Sequence, residues 1–302
     1  MRVFVTGATG FVGSAIIDDL LSAGYKVTGL ARNKEASDWL ARRGIDAYHG
    51  DLTDLDRLAA GAAASDGVIH TAFIHDFSRY EENAEVDNGA LVAMTRALAG
   101  SDRPFVATSV VTLLTPGRTG TEEDGRASPD IPRAASEATV LAAAEQGIRS
   151  SVVRLPFSVH GRGDRGFISA LVELARRKNV AAYVGDGSNR WPAVNRLDAA
   201  RLFRLALEKA APATVLHAVA EEGITMRSIA EEIGNGLGVP VRAIAPEEAK
   251  KHFEWLGRFI AIDQPISSMF TRERMGWQPR GNGLLNDMGD SGYFDPGQGS
   301  KY

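Results

Sequence analysis

Short apolar runs alternate with helical patterns through the first half of the chain. The runs predict strands over Val3–Thr6, Val27–Leu30, Ala47–His49, Val68–Thr71, Phe105–Thr108 and Val152–Leu155. Between them the pattern predicts helices over Phe11–Ala23, Ser37–Arg43, Leu55–Ala64, Asn83–Ala99 and Arg133–Gln146. Gly24, Gly44, Gly100 and Gly147 fall just past four of these helices, where a left-handed residue closes the last turn. Strand–helix alternation with short links predicts an α/β protein with a parallel sheet covered on both faces. After Leu155 the rhythm changes. Loops lengthen around Pro156–Arg165, and Gly185–Pro192 is rich in turn residues. A helix over Asp198–Ala210 leads to an apolar run, Val215–Val219, expected as a late strand of the same sheet. Met226–Leu237, Val241–Ile244 and a helical stretch from Pro246 then suggest a smaller lobe over the strand ends. The tail after Gly281 is expected to be loosely held or used in a subunit contact.

Composition narrows this picture. With 302 residues, the chain exceeds the size at which one core usually stops growing. Hydrophobic residues make up 44% and charged residues 24%, which excludes a disordered chain. A formal net charge of -4 offers no basic footprint for nucleic acid. The absence of cysteine excludes disulfides, thiolate metal sites and a cysteine nucleophile. The six histidines show no metal-ligand spacing, so no metal is expected. No stretch has the length of a transmembrane helix and the N-terminus lacks a signal-peptide pattern, so a soluble, cytoplasmic protein with no membrane partner is expected.

The strongest motif is Thr6-Gly7-Ala8-Thr9-Gly10-Phe11-Val12-Gly13, between the first strand and the first helix. Gly7 permits the tight turn, Gly10 lets backbone approach a pyrophosphate, and Gly13 allows close helix–sheet packing. The helix N-terminus presents N–H groups and partial positive charge to phosphate, with Thr9, Phe11 and Val12 completing the loop. The second strand leads into Ala31-Arg32-Asn33-Lys34, without an acidic residue for a ribose 2′-OH. Arg32 lies 19 residues after Gly13, where a guanidinium can grip a 2′-phosphate. These residues predict NADP(H) over NAD. Asp51 and Leu52 follow the third strand; Asp51 is placed either to reach the adenine amino group or to cap the next helix.

The set TGATGFVG, Asp51-Leu52, His70-Thr71-Ala72-Phe73 and Val153-Arg154-Leu155-Pro156-Phe157-Ser158-Val159-His160-Gly161 resembles the extended short-chain dehydrogenase/reductase family. That group includes nucleotide-sugar epimerases. The resemblance continues through Gly185–Pro192, Asp198-Ala199-Ala200 and Met275–Pro279, so it covers most of the chain. It implies a Rossmann-type doubly wound sheet over residues 1–155, with the late run 215–219 joining it. Residues 156–302 are then mainly a substrate-binding lobe. It further implies that Thr71, Ala72 and Phe73 line the nicotinamide side, with Thr108 nearby. Pro156, Phe157, Ser158 and Val159 would meet the carboxamide. A homodimer through the fourth and fifth helices is also implied.

The family's Tyr-x-x-x-Lys pair is missing. Four residues beyond Tyr25, Tyr48, Tyr80, Tyr183 and Tyr293 stand Gly29, Leu52, Ala84, Gly187 and Gly297, and Tyr302 ends the chain. The matching stretch is Arg133-Ala134-Ala135-Ser136-Glu137, which marks an atypical branch. Arg133 can bind a carboxylate or stabilise an oxyanion, and Glu137 can be an acid if burial raises its pKa. The alternative is an i,i+4 ion pair between them. His75 and His160 are further candidate proton donors, and Ser109 can hydrogen-bond a carbonyl oxygen. Phe157, Phe167, Trp191 and Arg190 are candidate pocket residues, with lobe core the alternative for the aromatics. The leading expectation is an NADPH-dependent oxidoreductase that delivers hydride to a carbonyl, imine or activated alkene of a small organic molecule. The alternatives are a nucleotide-sugar epimerase/dehydratase and an NADP-binding regulator without turnover.

Overall fold

The computed structural model describes residues 1–76, 79–125, 127–128 and 131–295. The chain begins β1 (Arg2–Thr6), α1 (Phe11–Ser22), β2 (Lys26–Ala31), α2 (Lys34–Ala41), β3 (Asp46–His49), α3 (Leu55–Ala63), β4 (Gly67–His70), α4 (Tyr80–Leu98), β5 (Pro104–Val110), α5 (Ala134–Ala142) and β6 (Arg149–Leu155). It continues β7 (Ser158–His160), α6 (Phe167–Lys178), β8 (Ala181–Val184), β9 (Arg190–Asn195), α7 (Arg196–Lys209), β10 (Thr214–His217), β11 (Glu221–Thr225), α8 (Met226–Leu237) and β12 (Val241–Ile244). Short helices α9 (Ala249–Phe253), α10 (Met269–Met275) and α11 (Leu284–Asp290) follow.

Seven strands form one parallel sheet in the order β10-β6-β5-β4-β1-β2-β3. The inner strands read as continuous apolar runs because helices cover both faces. Val3, Val5, Ile69, Val106 and Val153 pack under α1 and α7, while Phe4, Val68, Phe105, Ala107 and Val152 pack under α3, α4 and α5. The strand order reverses between β1 and β4, which opens a crevice above their carboxyl ends.

The second half does not stay apart from this sheet. Helix α7 packs against α1, and β10 pairs in parallel with β6, from Thr214 opposite Ser151 to His217 opposite Arg154. The remaining segments build a lobe of a three-stranded sheet, β11-β9-β7, and a two-stranded sheet, β12-β8. Its core holds Phe157, Trp191, Ile229 and Leu284. Gly185–Pro192 is a turn only in its first part. From Arg190 the chain enters β9, where Pro192 has no N–H to give, and β11 bulges opposite it between Glu221 and Ile224. The tail is more ordered than its polar composition suggested. Leu284, Met288 and Tyr293 are buried, so α11 docks on the lobe. Residues 296–302, with Tyr302, lie outside the described residues.

Candidate active site

The site begins at the turn between β1 and α1. Gly7 has φ +68°, and a Cβ there would meet Ala72 N and Thr71 Oγ1 at 2.7 Å. A Cβ on Gly13 would lie 2.0 Å from Gly7 O. Thr71 Oγ1 donates to Thr6 O (2.8 Å), so the end of β4 braces the turn. Gly10 N donates to Gly7 O (2.9 Å), while Thr9 and Gly10 remain exposed. No side chain caps α1 at Gly10. The uncapped N–H groups, with no Cβ in the way, fit a pyrophosphate. Arg196, which opens α7, stands with its guanidinium carbon 5.1 Å above the Phe11 ring. Sequence reasoning missed this cation, since only the packing of α7 on α1 brings it to the loop.

Arg32 is exposed immediately beyond β2. Asn33 accepts from Ala36 N (2.8 Å) and caps α2, and Lys34 pairs with Asp38 (2.6 Å), so neither neighbour engages Arg32. Asp51 Oδ1 accepts from Thr53 N and Oγ1 (2.7 and 2.6 Å), which holds its carboxyl below the ordinary range. The cap of α3 is Asp54, not Asp51, so Asp51 keeps its exposed position beside the strand ends.

Two buried polar networks lie under the crevice, on the face of the sheet covered by α4 and α5. In the first, Thr6 Oγ1 meets His70 Nδ1 (2.8 Å), and His70 Nε2 meets Asp87 Oδ1 (3.1 Å). Ser136 Oγ donates to Asp87 Oδ2 (2.6 Å), which lies 3.6 Å from Arg133 Nη2. These partners keep the Asp87 carboxyl below its usual range although burial pushes the other way. Arg133 also donates to Thr108 O (3.1 Å) and lies 4.3 Å above the Phe73 ring. Its Nε and Thr108 Oγ1 are buried without partners. His75 packs edge-on against Phe73 at 5.4 Å, and its crowded surroundings, with the Arg133 charge, push its pKa down.

In the second network, Ser109 Oγ donates to Glu137 Oε2 (2.5 Å). Arg154 grips the same carboxylate in a fork, Nε to Oε2 at 3.0 Å and Nη2 to Oε1 at 2.7 Å. Arg154 Nη1 faces His217 Nε2 (3.3 Å), and His217 Nδ1 meets Ser267 O (2.8 Å). Ser109, Arg154 and His217 form a row across β5, β6 and β10, each directly opposite the next. His217 joins the row only because β10 returns to the sheet, so it carried no signal in sequence as a site residue.

The alternative reading, an Arg133–Glu137 ion pair, is therefore not what the structure shows. Arg133 turns toward Asp87 and Thr108, and Glu137 toward Arg154 and Ser109. Burial would raise the Glu137 pKa, but Arg154 and Ser109 outweigh it and hold the carboxyl low. Glu137 is thus a carboxylate and not a neutral acid. The structure brings Phe73, His75, Thr108, Ser109, Arg133 and Glu137 together and leaves His160 apart. Its Nδ1 meets Asp287 of α11 (2.7 Å), in a cluster with Tyr293 and Asp164. Trp191 is fully buried and stacks on Phe157 at 4.8 Å, and Phe167 meets Trp191 edge-on at 5.6 Å, so all three serve the lobe core. Arg190 is committed to Asp263 through two 2.9 Å bonds. Ser158 and Pro156 are buried beyond β6, and Val159 is half-buried.

Residues 3–218 match the NAD-dependent epimerase/dehydratase family. The chain belongs to that family. It is 48% identical over 295 residues to the uncharacterized protein C2A9.02 of Schizosaccharomyces pombe, covering 97% of this chain and 100% of the relative. It is 28% identical over 257 residues to the 2-alkyl-3-oxoalkanoate reductase of Stenotrophomonas maltophilia, covering 80% and 77% of the two chains. The fold is similar to that of a dTDP-glucose 4,6-dehydratase double mutant from Streptomyces venezuelae with NAD and DAU bound, with a TM-score of 0.78 and 18% identity over 99% of this chain and 98% of that one. No helix among the described residues is long and apolar enough to cross a membrane.

Proposed function

We propose that this member of the family is an NADP(H)-dependent oxidoreductase that reduces a carbonyl or imine of a small organic substrate. The observation that carries the reading is the turn after β1, where Gly7 and Gly13 leave no room for a Cβ, with Arg32 exposed beyond β2 and in no ion pair among the described residues. The backbone N–H groups of the turn and Arg196 would hold the pyrophosphate, and Arg32 the 2′-phosphate. When bound, the nicotinamide supplies or accepts the hydride. Thr71, Ala72 and Phe73 would flank it, with Pro156–Val159 on the carboxamide side.

The reacting oxygen would lie against Arg133. Its Nε is a buried donor without an acceptor, and a guanidinium stabilises developing negative charge without giving up a proton. This replaces the role of a tyrosine in stabilising charge, and the proton comes from solvent, since burial and the Arg133 charge keep the His75 ring neutral near pH 7. The engagement of Arg190 by Asp263 leaves it unavailable to a diphosphate, which disfavours a nucleotide-sugar substrate. The reductases of 3-oxo acids among the relatives support a small oxo compound as substrate. The exposed faces of α4 and α5 would form a homodimer, to be checked by sedimentation.

Calorimetry with NADPH and NADH, followed by NADPH oxidation against a panel of aldehydes, 3-oxo esters and imines, tests the reading. Preferred NADPH binding with turnover is expected. Preferred NADH binding overturns the cofactor assignment, and tight NADPH binding with no turnover favours a regulator.

A further inference from the structure

The proton positions in the second network follow from which of its groups can only donate and which can only accept. Ser267 O can only accept, so His217 Nδ1 carries the proton and Nε2 is left as a lone pair. Arg154 can only donate, and Nη1 meets that lone pair. Its Nε and Nη2 fill one side of the Glu137 carboxylate. The carboxylate has no proton to give, so the 2.5 Å contact with Ser109 has the serine as donor. The single hydroxyl proton of Ser109 is thereby spent on Glu137, and its oxygen has only lone pairs left.

Ser109 stands near the carboxyl end of β5, next to Thr108, whose carbonyl holds Arg133. Ligands of open α/β sheets bind beyond such strand ends. At this end Arg133 presents donors, and Ser109, buried beside it, presents an oxygen with lone pairs only. We propose that Ser109 contacts the ligand as a hydrogen-bond acceptor, so that the site selects an O–H or N–H donor on the reacting carbon, with Glu137 and Arg154 as positioning residues that set this polarity. The inference rests on the oxidoreductase reading and deepens it. Of a redox pair, the alcohol or amine bonds Ser109, whereas the ketone has no proton to offer it.

The test uses acetophenone with NADP⁺ and 1-phenylethanol with NADPH, two complexes that cannot turn over, titrated by calorimetry. Wild type should favour the alcohol. In Glu137→Gln the amide can donate to Ser109 and turn its hydroxyl outward, so the alcohol-to-ketone affinity ratio should fall about tenfold. In Ser109→Ala, adding Glu137→Gln should leave the ratio unchanged. An unchanged ratio in Glu137→Gln, a shift that persists without Ser109, or binding of neither probe to NADP(H)-loaded protein overturns the proposal. Nitrogen NMR of His217 in the ligand-free protein judges the network separately. A neutral Nδ1–H tautomer near pH 7 is expected in wild type and in Arg154→Lys, whose ammonium also only donates. An Nε2–H or protonated ring overturns the assigned pairing of His217 with Arg154 and Ser267. Failure to bind either coenzyme would defeat the oxidoreductase reading while leaving this spectrum to decide the chain of bonds.

Discussion

At the scale of single residues, charge decides more than shape. Arg32 is a cation with no competing acid at the end of β2, and a charge-assisted bond to a 2′-phosphate is worth enough to set coenzyme preference. Arg32→Glu should lower NADPH affinity at least about tenfold and leave NADH affinity nearly unchanged, by calorimetry at fixed salt. Asp87 and Glu137 are buried carboxylates whose pKa values are depressed by their cationic and hydroxyl partners. A depressed carboxyl contributes stability above its unfolded pKa, about 4, and that contribution disappears as pH falls through the folded value. Asp87→Asn should therefore be less stable than wild type at pH 7, with the gap closing below about pH 4 in denaturant titrations. His217 acts earlier on the pH scale. Burial lowers its pKa, so the unfolded chain takes up its proton first, and stability should begin to fall as pH drops through about 6.5. His217→Gln should flatten the fall in stability that begins below about pH 6.5.

At the scale of elements, the contact between β1, its turn and α1 leaves least freedom. Helix α1 can follow β1 closely only because residue 13 has no side chain. Gly13→Ala would force the helix away from Gly7 O, with an expected cost of about 1–3 kcal/mol and loss of coenzyme binding, measurable by thermal unfolding and calorimetry. The start of α5 is a second such junction. It sends Arg133 toward Thr108, Ser136 to Asp87 and Glu137 to Ser109 and Arg154. An i,i+4 reading of Arg133 and Glu137 considers one helix alone. It missed Asp87 on α4 and Arg154 on β6, which offer each charge a closer buried partner than the other end of one helical turn. Arg154→Ala would strand the Glu137 charge and should cost about 3–5 kcal/mol.

At the scale of the whole molecule, the chain leaves the sheet, builds a lobe, and returns. The return places β10 beside β6 and puts His217 at the end of the Ser109–Arg154 row. It also brings α7 onto α1, with Arg196 over Phe11. The lobe has its own aromatic core around Trp191, stacked on Phe157. Trp191→Ala should cost about 3–5 kcal/mol, seen as a lower unfolding midpoint. It should act mainly on stability, since this ring belongs to the core and not to the crevice.

Local pattern was enough to place β1 to β6, the helices between them and the glycine turn, because apolar period and glycine position are written into adjacent residues. It was weaker in the lobe, where β7, β8 and β9 are short and their partners lie far away in sequence. The missing Tyr-x-x-x-Lys pair was equally plain from residue order. The partners of Arg133 and Glu137 were not. Whether Glu137 is an acid or a carboxylate depends on a guanidinium 17 residues away, and the direction of the Ser109 proton follows from that charge state. The chain order fixes which groups exist and how each strand and helix begins. Only folding decides which buried charge faces which, because hydrogen bonds and ion pairs act over a few ångströms and take no account of separation along the backbone.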